Sequence, residues 1–148
     1  MMHYTRVTTI NAVNGLSKEE LDYLPTPDSN SIGMLLSHIA ALEYYFQINT
    51  FENIELSNEE SQLWKDSLFL GEDRNTIKGN DLSFYLEMLQ SVRETTLNNF
   101  KDLNNEWLYE TCTFLNRPAN NLYKWFHVFE DELNHRGQIR MIVKRLKK

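Results

Sequence analysis

The sequence predicts one all-α domain folded as a four-helix bundle, with a long connection between the second and third helices. Three observations support this prediction. The chain has 148 residues, so residues 1–148 suit one domain and are too few for two ordinary ones. Five glycines and three prolines are few, which favours long helices over a turn-rich β protein. Apolar residues recur at helical spacing in four long segments, and such helices need mutual packing to be stable in water.

The first helix is predicted over residues 4–14, and its apolar face consists of residues at helical spacing: Val7, Ile10 and Val13. Gly15 is placed to end this helix, because glycine readily adopts the left-handed conformation found after helix C-termini. Ser17 and Glu20 then form a Ser-x-x-Glu capping box. They predict a short piece of helix that ends before Pro25.

The second long helix is predicted over residues 32–49, after a polar DSNS segment that offers several N-cap side chains. Its apolar face holds residues at helical spacing: Leu35, Leu36, Ile39, Leu42 and Phe46. Ser57 and Glu60 form another capping box in the connection that follows. The short helix that they open is predicted to bury three apolar side chains: Leu63, Trp64 and Leu68.

Two more long helices complete the predicted bundle. The third covers residues 81–103 and has a regular helical stripe: Leu82, Leu86, Leu89, Val92, Thr96, Phe100 and Leu103. In residues 104–120 the TCTF stretch is β-like, but no partner strand is evident, so this segment is predicted to be an ordered connection. The last helix starts at Asn120 or Asn121 and runs almost to the C-terminus. Two apolar stripes are predicted along it: Leu122, Phe126, Phe129 and Leu133, then Ile139, Ile142 and Leu146.

Composition and charge exclude several classes of protein. No run approaches the roughly 20 apolar residues needed to cross a bilayer, so we expect no membrane span. The net charge of −6, with no dense basic patch before the last few residues, argues against a nucleic acid partner. The single cysteine, Cys112, excludes an internal disulfide and a thiolate-rich zinc site. The N-terminus lacks the basic-then-apolar pattern of a signal peptide, so we expect a cytoplasmic protein.

The last helix carries a group of side chains that suits metal binding. His127, Asp131 and His135 follow one another at steps of four residues, so all three project along one surface of the helix. This surface continues into Ile139 and Ile142, which predicts that at least the His135 end faces the interior of the bundle. The spacing of Asp131 and His135 also allows both side chains to bind one ion.

His38 is the other histidine in an apolar setting, because it lies within the predicted apolar face of the second long helix. It is predicted to face His135 across the bundle. With Asp131, the two histidines would form a set of three ligands with open positions, which suits Zn, Ni, Fe or Mn. The alternative is a pair of hydrogen-bonded core histidines with Asp131 in solvent, and spacing alone leaves both interpretations open.

Two segments resemble the DinB-like family of proteins. The stretch GLSKEELDYLPTPDSNSIGMLLSHIAALEYYF is similar to the first half of these proteins, where Ser-Ile-Gly leads into a helix that carries a histidine. The stretch HVFEDELNHRGQI is similar to the family's final helix, in which a histidine precedes Arg-Gly-Gln. The resemblance implies a four-helix bundle, often dimeric, with a divalent metal held near one end. It points to His38, Asp131 and His135 as the ligands.

The sequence departs from the family pattern at Asp131, where many relatives have histidine and some have an acidic residue. A carboxylate also binds divalent ions, so we expect the site to survive with an altered metal preference. His127, one turn earlier, is an alternative ligand or a residue that positions a ligand. Glu43 matches an acidic position of the family and is expected to orient a ligand or a helix contact. Arg136 is expected to bind a carboxylate, either that of Glu43 or one in a partner subunit, or to remain in solvent.

Two hypotheses of different class follow from this resemblance. The first is a metal-dependent enzyme of DinB-like type that acts on a small-molecule substrate. It would be a thiol S-transferase using a low-molecular-weight thiol such as bacillithiol or mycothiol, or a hydrolase, with a role in detoxification or stress response. The second is a non-catalytic dimeric bundle that binds a small ligand or a protein partner, with a vestigial metal site. Both hypotheses include a homodimer.

Overall fold

The computed structural model describes residues 1–70 and 77–147, and four long helices make up most of this part of the chain. The α-helices are α1 (Met2–Val13), α2 (Lys18–Asp22), α3 (Ile32–Gln47), α4 (Asn58–Leu68), α5 (Leu82–Lys101) and α6 (Asn121–Leu146). Helix α3 packs against both α5 and α6, and α1 packs against α6. The prediction of an all-α fold is confirmed, and α4 lies in the long connection between α3 and α5.

Three of the helices begin directly after a serine that caps their N-terminus. Ser17 and Ser57 each form the predicted capping box, with Glu20 and Glu60 respectively. Ser31 caps α3 by accepting a hydrogen bond from the backbone N–H of Met34. The C-terminal end of α3 departs from the predicted helix over residues 32–49, because the helix widens into a π-turn at Ile48–Glu52.

The core of the bundle lies between α3, α5 and α6. Its fully buried apolar side chains include Leu35, Leu36, Ile39, Tyr85, Leu89 and Ile139. A second cluster lies towards the other end of α6 and is rich in aromatic rings: Phe46, Phe51, Phe100, Trp107 and Trp125. No helix within the described residues is both long and apolar enough to span a membrane.

The first predicted apolar stripe of α6 is wrong. Leu122 and Phe126 are 43% and 57% exposed. The buried face of this half of the helix lies beside that stripe, and it combines the apolar Trp125 and Val128 with the charged Lys124 and Glu132. Charged residues normally indicate a solvent-exposed surface, so this face was not recognised as buried from the sequence. The second stripe is confirmed at Ile139 and Ile142, which are both buried.

Helix α1 packs on the bundle through a largely polar face, which differs from the apolar face predicted for it. Val7 is 39% exposed, whereas the buried residues of α1 are Thr5, Arg6, Thr9 and Val13. The guanidinium group of Arg6 lies in a cluster of four buried charges, one from each long helix: Arg6 of α1, Glu43 of α3, Arg93 of α5 and Glu132 of α6. We call these four residues the buried charge cluster.

Each carboxylate in the buried charge cluster is bound by both arginines. Arg6 donates to Glu43 at 2.8 Å and to Glu132 at 2.9 Å, and Arg93 donates to each of them at 2.7 Å. Arg6 and Arg93 also donate to the backbone carbonyls of Leu89 and Met2, respectively. Two positive and two negative charges are thus balanced out of contact with water, which is the condition under which buried charges are tolerated.

Residues 104–120 contain a β-hairpin, so the prediction of an unpaired connection is wrong. Strand β1 (Thr111–Phe114) pairs antiparallel with β2 (Arg117–Asn120). Leu115 and Asn116 form the two-residue turn, and both have positive φ, as this type of hairpin turn requires. The partner strand was missed because its RPAN sequence contains Pro118, a residue that normally argues against a strand.

Helix α4 lies on α3 without burying any residue fully. Leu63 was predicted to be buried, but it is 76% exposed, so that prediction is wrong. The contact is made instead by Trp64, whose ring stacks on that of Tyr44 with centroids 5.2 Å apart. A single helical face meets α3, and Leu63 points away from it because neighbouring residues of a helix do not share a face.

Gly33 allows α5 to approach the start of α3. A Cβ at this position would lie 2.5 Å from the hydroxyl oxygen of Tyr85 and 2.8 Å from its ring carbon Cζ. Because Tyr85 is fully buried, its ring has no free space to move into.

We expect Gly33→Ala to lower the free energy of unfolding by about 1–3 kcal/mol, measured by urea denaturation. Gly137→Ala is the control, since a Cβ there meets nothing within 4 Å. An equal effect of both substitutions would contradict this explanation.

Candidate metal centre

Three side chains from two helices meet on the α3–α6 contact. They are His38 of α3 and Asp131 and His135 of α6, and their ligand atoms all lie within 4.8 Å of one another. His38 Nε2 is 3.5 Å from Asp131 Oδ2, and His135 Nε2 is 3.3 Å from Asp131 Oδ1. The structure thus brings together the three residues that the sequence singled out.

The local sequence explains why these side chains face the interior. His38 is 8% exposed and lies on the apolar, buried face of α3. Asp131 and His135 are one turn apart on α6, on the side that continues into the buried Ile139 and Ile142. Their side chains retain 15% and 12% exposure, so the group is shielded from bulk water but not closed.

A hydrogen bond fixes the tautomer of His38. Its Nδ1 lies 2.8 Å from the backbone carbonyl oxygen of Ser67, in the last turn of α4. A carbonyl can only accept, so Nδ1 carries a proton, and in the neutral ring Nε2 presents a lone pair towards the carboxylate of Asp131. Two acceptors that face each other require a positive charge between them, which a proton or a metal ion supplies.

Two atoms of the group have no hydrogen-bond partner among the described residues. They are Asp131 Oδ2 and His135 Nδ1, and both are buried. A buried polar atom without a partner costs about 1–3 kcal/mol. A divalent ion between the three side chains would engage the carboxylate and the imidazoles, so the residues present fit such an ion.

The surroundings also favour the ionised form of Asp131. Burial alone raises the pKa of this carboxyl, but the nearby imidazoles of His135 and His38 outweigh that effect, and the net pKa is lowered. Asp131 is therefore a carboxylate across the physiological pH range, which is the form that binds cations.

His127 is not brought into this group. It lies two turns before His135, and its ring packs against those of Phe46 and Phe114, with centroids 6.0 and 5.2 Å away. Its Nδ1 is 3.5 Å from a carboxylate oxygen of Glu130, which is half-buried. These contacts place His127 in the aromatic cluster, and its alternative role as a ligand remains a prediction without structural support.

Arg136 and Glu43 do not meet. Glu43 is fully occupied in the buried charge cluster, and Arg136 donates to the hydroxyl of Thr8 on α1. The expectation that Arg136 binds the carboxylate of Glu43 is therefore wrong, while Glu43 does make a contact between helices. The Ser67 carbonyl beside His38 could not be predicted, because a backbone group carries no residue signature.

The end of α4 is held beside His38 by further contacts. The hydroxyl of Tyr44 donates to a carboxylate oxygen of Glu60 at 2.5 Å, and this hydrogen bond raises the pKa of Tyr44 to about 12. Together with the stacking of Trp64 on Tyr44, this bond attaches α4 to α3 on the side from which Ser67 reaches His38.

Comparisons with known proteins agree with this fold. The sequence model of the family described as mycothiol-S-transferase matches residues 1–146. The crystal structure of a DinB-like protein from Bacillus cereus ATCC 10987 is similar with a TM-score of 0.75 and 14% identity, covering 98% of this chain and 87% of that one. A conserved protein from Enterococcus faecalis is similar with a TM-score of 0.74 and 15% identity, covering 96% and 92%.

At these identities the two solved structures show the fold alone, and a comparison with curated protein sequences finds no match. The family match, in contrast, covers nearly the whole chain, including both α3 with His38 and α6 with Asp131 and His135. The chain belongs to the mycothiol-S-transferase family of DinB-like proteins.

Proposed function

We propose that the protein is a divalent-metal-dependent thiol S-transferase that joins the sulfur of a low-molecular-weight thiol to a small electrophilic substrate. The observation that carries this proposal is the convergence of His38, Asp131 and His135 within 4.8 Å of one another. The family match supports the thiol as co-substrate. A detoxification or stress role is consistent with this chemistry.

The three side chains would hold the ion through the two imidazoles and the carboxylate. Three protein ligands are typical of catalytic sites, because they leave positions open for another molecule. A bound divalent ion supplies Lewis acidity, which lowers the pKa of a coordinated thiol or water. In the transfer, the thiol loses its proton, a sulfur–carbon bond forms, and the leaving group departs with its electron pair.

The chain itself contributes orientation and shielding. The Ser67 carbonyl holds the proton of His38 on Nδ1 and so directs Nε2 towards Asp131. The low exposure of all three side chains limits the access of bulk water, which favours attack by the thiol over hydrolysis.

The test begins with metal-free protein that is reconstituted separately with Zn, Ni, Fe and Mn. Mycothiol and bacillithiol are supplied with 1-chloro-2,4-dinitrobenzene, and the thioether product is measured by absorbance and mass spectrometry. We expect turnover with at least one metal, loss of turnover on chelation, and loss in His135→Ala. Release of chloride by water instead of thiol would assign a hydrolase. Absence of any metal-dependent reaction would favour the non-catalytic bundle.

We also propose that the protein is a homodimer, supported by an apolar surface on neighbouring helices. Tyr4 and Val7 of α1 and Leu122 and Phe126 of α6 are all exposed, and α1 packs on α6. Such side chains are common in subunit interfaces.

Light scattering is expected to give about twice the chain mass of 17.6 kDa, and Phe126→Lys is expected to give the monomer. Met141→Lys, at another exposed position, should remain dimeric; a monomeric wild type would refute the proposal.

A further inference from the structure

Helix α4 depends on α3 for its position. It has 11 residues, none of them fully buried, and helices of this length are marginally stable by themselves in water. It packs on α3. On the side of α5, the described residues leave a cavity of about 330 Å³ beside Trp64 and Ser67. The contacts with α3 are therefore the ones that hold α4 in place.

Two of these contacts lie at opposite ends of α4. In its first turn, Glu60 accepts the hydrogen bond from the hydroxyl of Tyr44. In its last turn, the carbonyl oxygen of Ser67 lies 2.8 Å from His38 Nδ1. The two α3 residues are six positions apart and the two α4 residues are seven positions apart, which correspond to about 9 and about 10 Å along the helix axes. Helix α4 thus lies antiparallel to α3, and both contacts form at the same time.

Glu60 both caps α4 and attaches it to α3. Its Oε1 accepts from the Tyr44 hydroxyl, whereas its Oε2 accepts from the backbone N–H of Ser57 in the capping box. These hydrogen bonds, that from Tyr44 most of all, lower the pKa of the Glu60 carboxyl, so this group is charged at neutral pH. A single carboxylate therefore stabilises the start of α4 and fixes the helix on α3.

The other end of α4 acts on a candidate metal ligand. The Ser67 carbonyl holds the proton of His38 on Nδ1, so that Nε2 faces Asp131. A hydrogen-bond partner of this kind orients a metal-binding imidazole, and its removal typically weakens metal binding about 10- to 100-fold. Displacement of α4 would remove this partner and free the ring of His38 to turn.

We propose that Tyr44 and Glu60 are positioning residues of the candidate metal centre, which act on His38 through α4 and the Ser67 carbonyl. The attachment of α4 and the binding of a divalent ion then favour each other, and thermodynamic linkage requires the same factor in both directions. This inference rests on the metal-dependent function proposed above. It adds a part of the chain, outside the three ligands, that sets the affinity for the ion.

The Zn²⁺ affinity of the full chain, without thiol or electrophile, tests this inference. Glu60→Ala removes both the acceptor for Tyr44 and the cap of α4, so we expect about tenfold weaker Zn²⁺ binding in competition with a chromogenic chelator. Tyr44→Phe, which leaves the cap and the aromatic ring in place, should weaken binding in the same direction by about threefold or more. Urea denaturation checks that the bundle of each variant remains folded.

Two further variants serve as controls. Glu60→Gln should bind Zn²⁺ nearly as well as the wild type, because glutamine also forms capping boxes and its amide can hydrogen-bond the Tyr44 hydroxyl. Glu59→Ala removes the same charge from the adjacent, exposed position in the first turn of α4. It should leave the affinity unchanged.

Two measurements separate a positioning role from a purely structural one. In the Zn²⁺-loaded wild type, the Nδ1 proton of His38 should exchange slowly with water, as followed by NMR of the imidazole groups. This exchange should be at least about tenfold faster in Glu60→Ala and should stay slow in Glu59→Ala. In the wild type, Zn²⁺ should slow the amide exchange of residues 58–68 by about the factor that Glu60→Ala costs in Zn²⁺ affinity.

The outcomes distinguish this inference from the proposed function. Equal Zn²⁺ affinity of Glu60→Ala, Tyr44→Phe and the wild type would overturn the inference and leave the transferase in place. Equal losses in Glu59→Ala and Glu60→Ala, or unchanged exchange of the His38 proton, would also overturn it. Weaker Zn²⁺ binding by the two positioning variants, without thiol transfer by the wild type, would retain the inference and refute the transferase. A wild type that binds no Zn²⁺ would refute both.

Discussion

Replacement of Arg93 with alanine is expected to lower the free energy of unfolding by about 3–5 kcal/mol. Arg93 donates to both Glu43 and Glu132 at 2.7 Å, and neither carboxylate has more than 1% exposure. Without Arg93, the two carboxylates share the single positive charge of Arg6. One buried negative charge is then uncompensated, which is among the most destabilising changes that a point mutation can make.

Urea denaturation of the wild type and variant measures this effect. Arg140→Ala, which removes an exposed arginine of α6, should change the free energy of unfolding by less than about 0.5 kcal/mol. The double variant Glu43→Gln/Arg93→Met should lose less than the sum of its single variants, because each single variant leaves a charge without its partner. A loss below about 1 kcal/mol in Arg93→Ala would show that the cluster is not needed to hold the helices together.

The second large effect is expected at the metal centre. His38→Ala and His135→Ala should each lower the affinity for a divalent ion by at least about 100-fold, because each removes one of three ligands. His127→Ala should leave the affinity unchanged, since the ring of His127 lies among Phe46 and Phe114. Competition with a chromogenic chelator gives the affinities, and elemental analysis gives the stoichiometry.

Asp131→His provides a further comparison at the same site. It introduces the residue that the family resemblance places there in many relatives, and a third imidazole favours Zn or Ni over ions that prefer oxygen ligands. We expect this variant to bind metal with a changed order of preference. A loss of metal in His127→Ala as large as that in His135→Ala would contradict the assignment of Asp131 as the third ligand.

The candidate site was largely predictable because its signals are local. Asp131 and His135 are one helical turn apart, and His38 lies in an apolar stripe, so short-range periodicity was enough to bring them to the helix contact. The Ser67 carbonyl was beyond prediction, since a backbone acceptor depends on how α4 packs.

The fold was predicted less completely where polar residues are buried. Arg6 and Glu132 are separated by 126 positions, and no periodic pattern connects residues so far apart. Because apolar stripes were used to find the inner faces, a buried face built around Glu132 or Arg6 was not predicted. The second strand was also not predicted, because it contains Pro118 and proline is uncommon within strands.

The buried charge cluster has a consequence for truncated forms of the protein. Its four members come from α1, α3, α5 and α6, so removal of the segment before Ile10 would take away Arg6 and half of the positive charge around Glu43 and Glu132. The remaining three long helices would contain every candidate metal ligand and yet carry an unbalanced charge in their interior. The first helix is therefore part of the folded unit, because a fragment without it would keep a buried negative charge that has lost its partner.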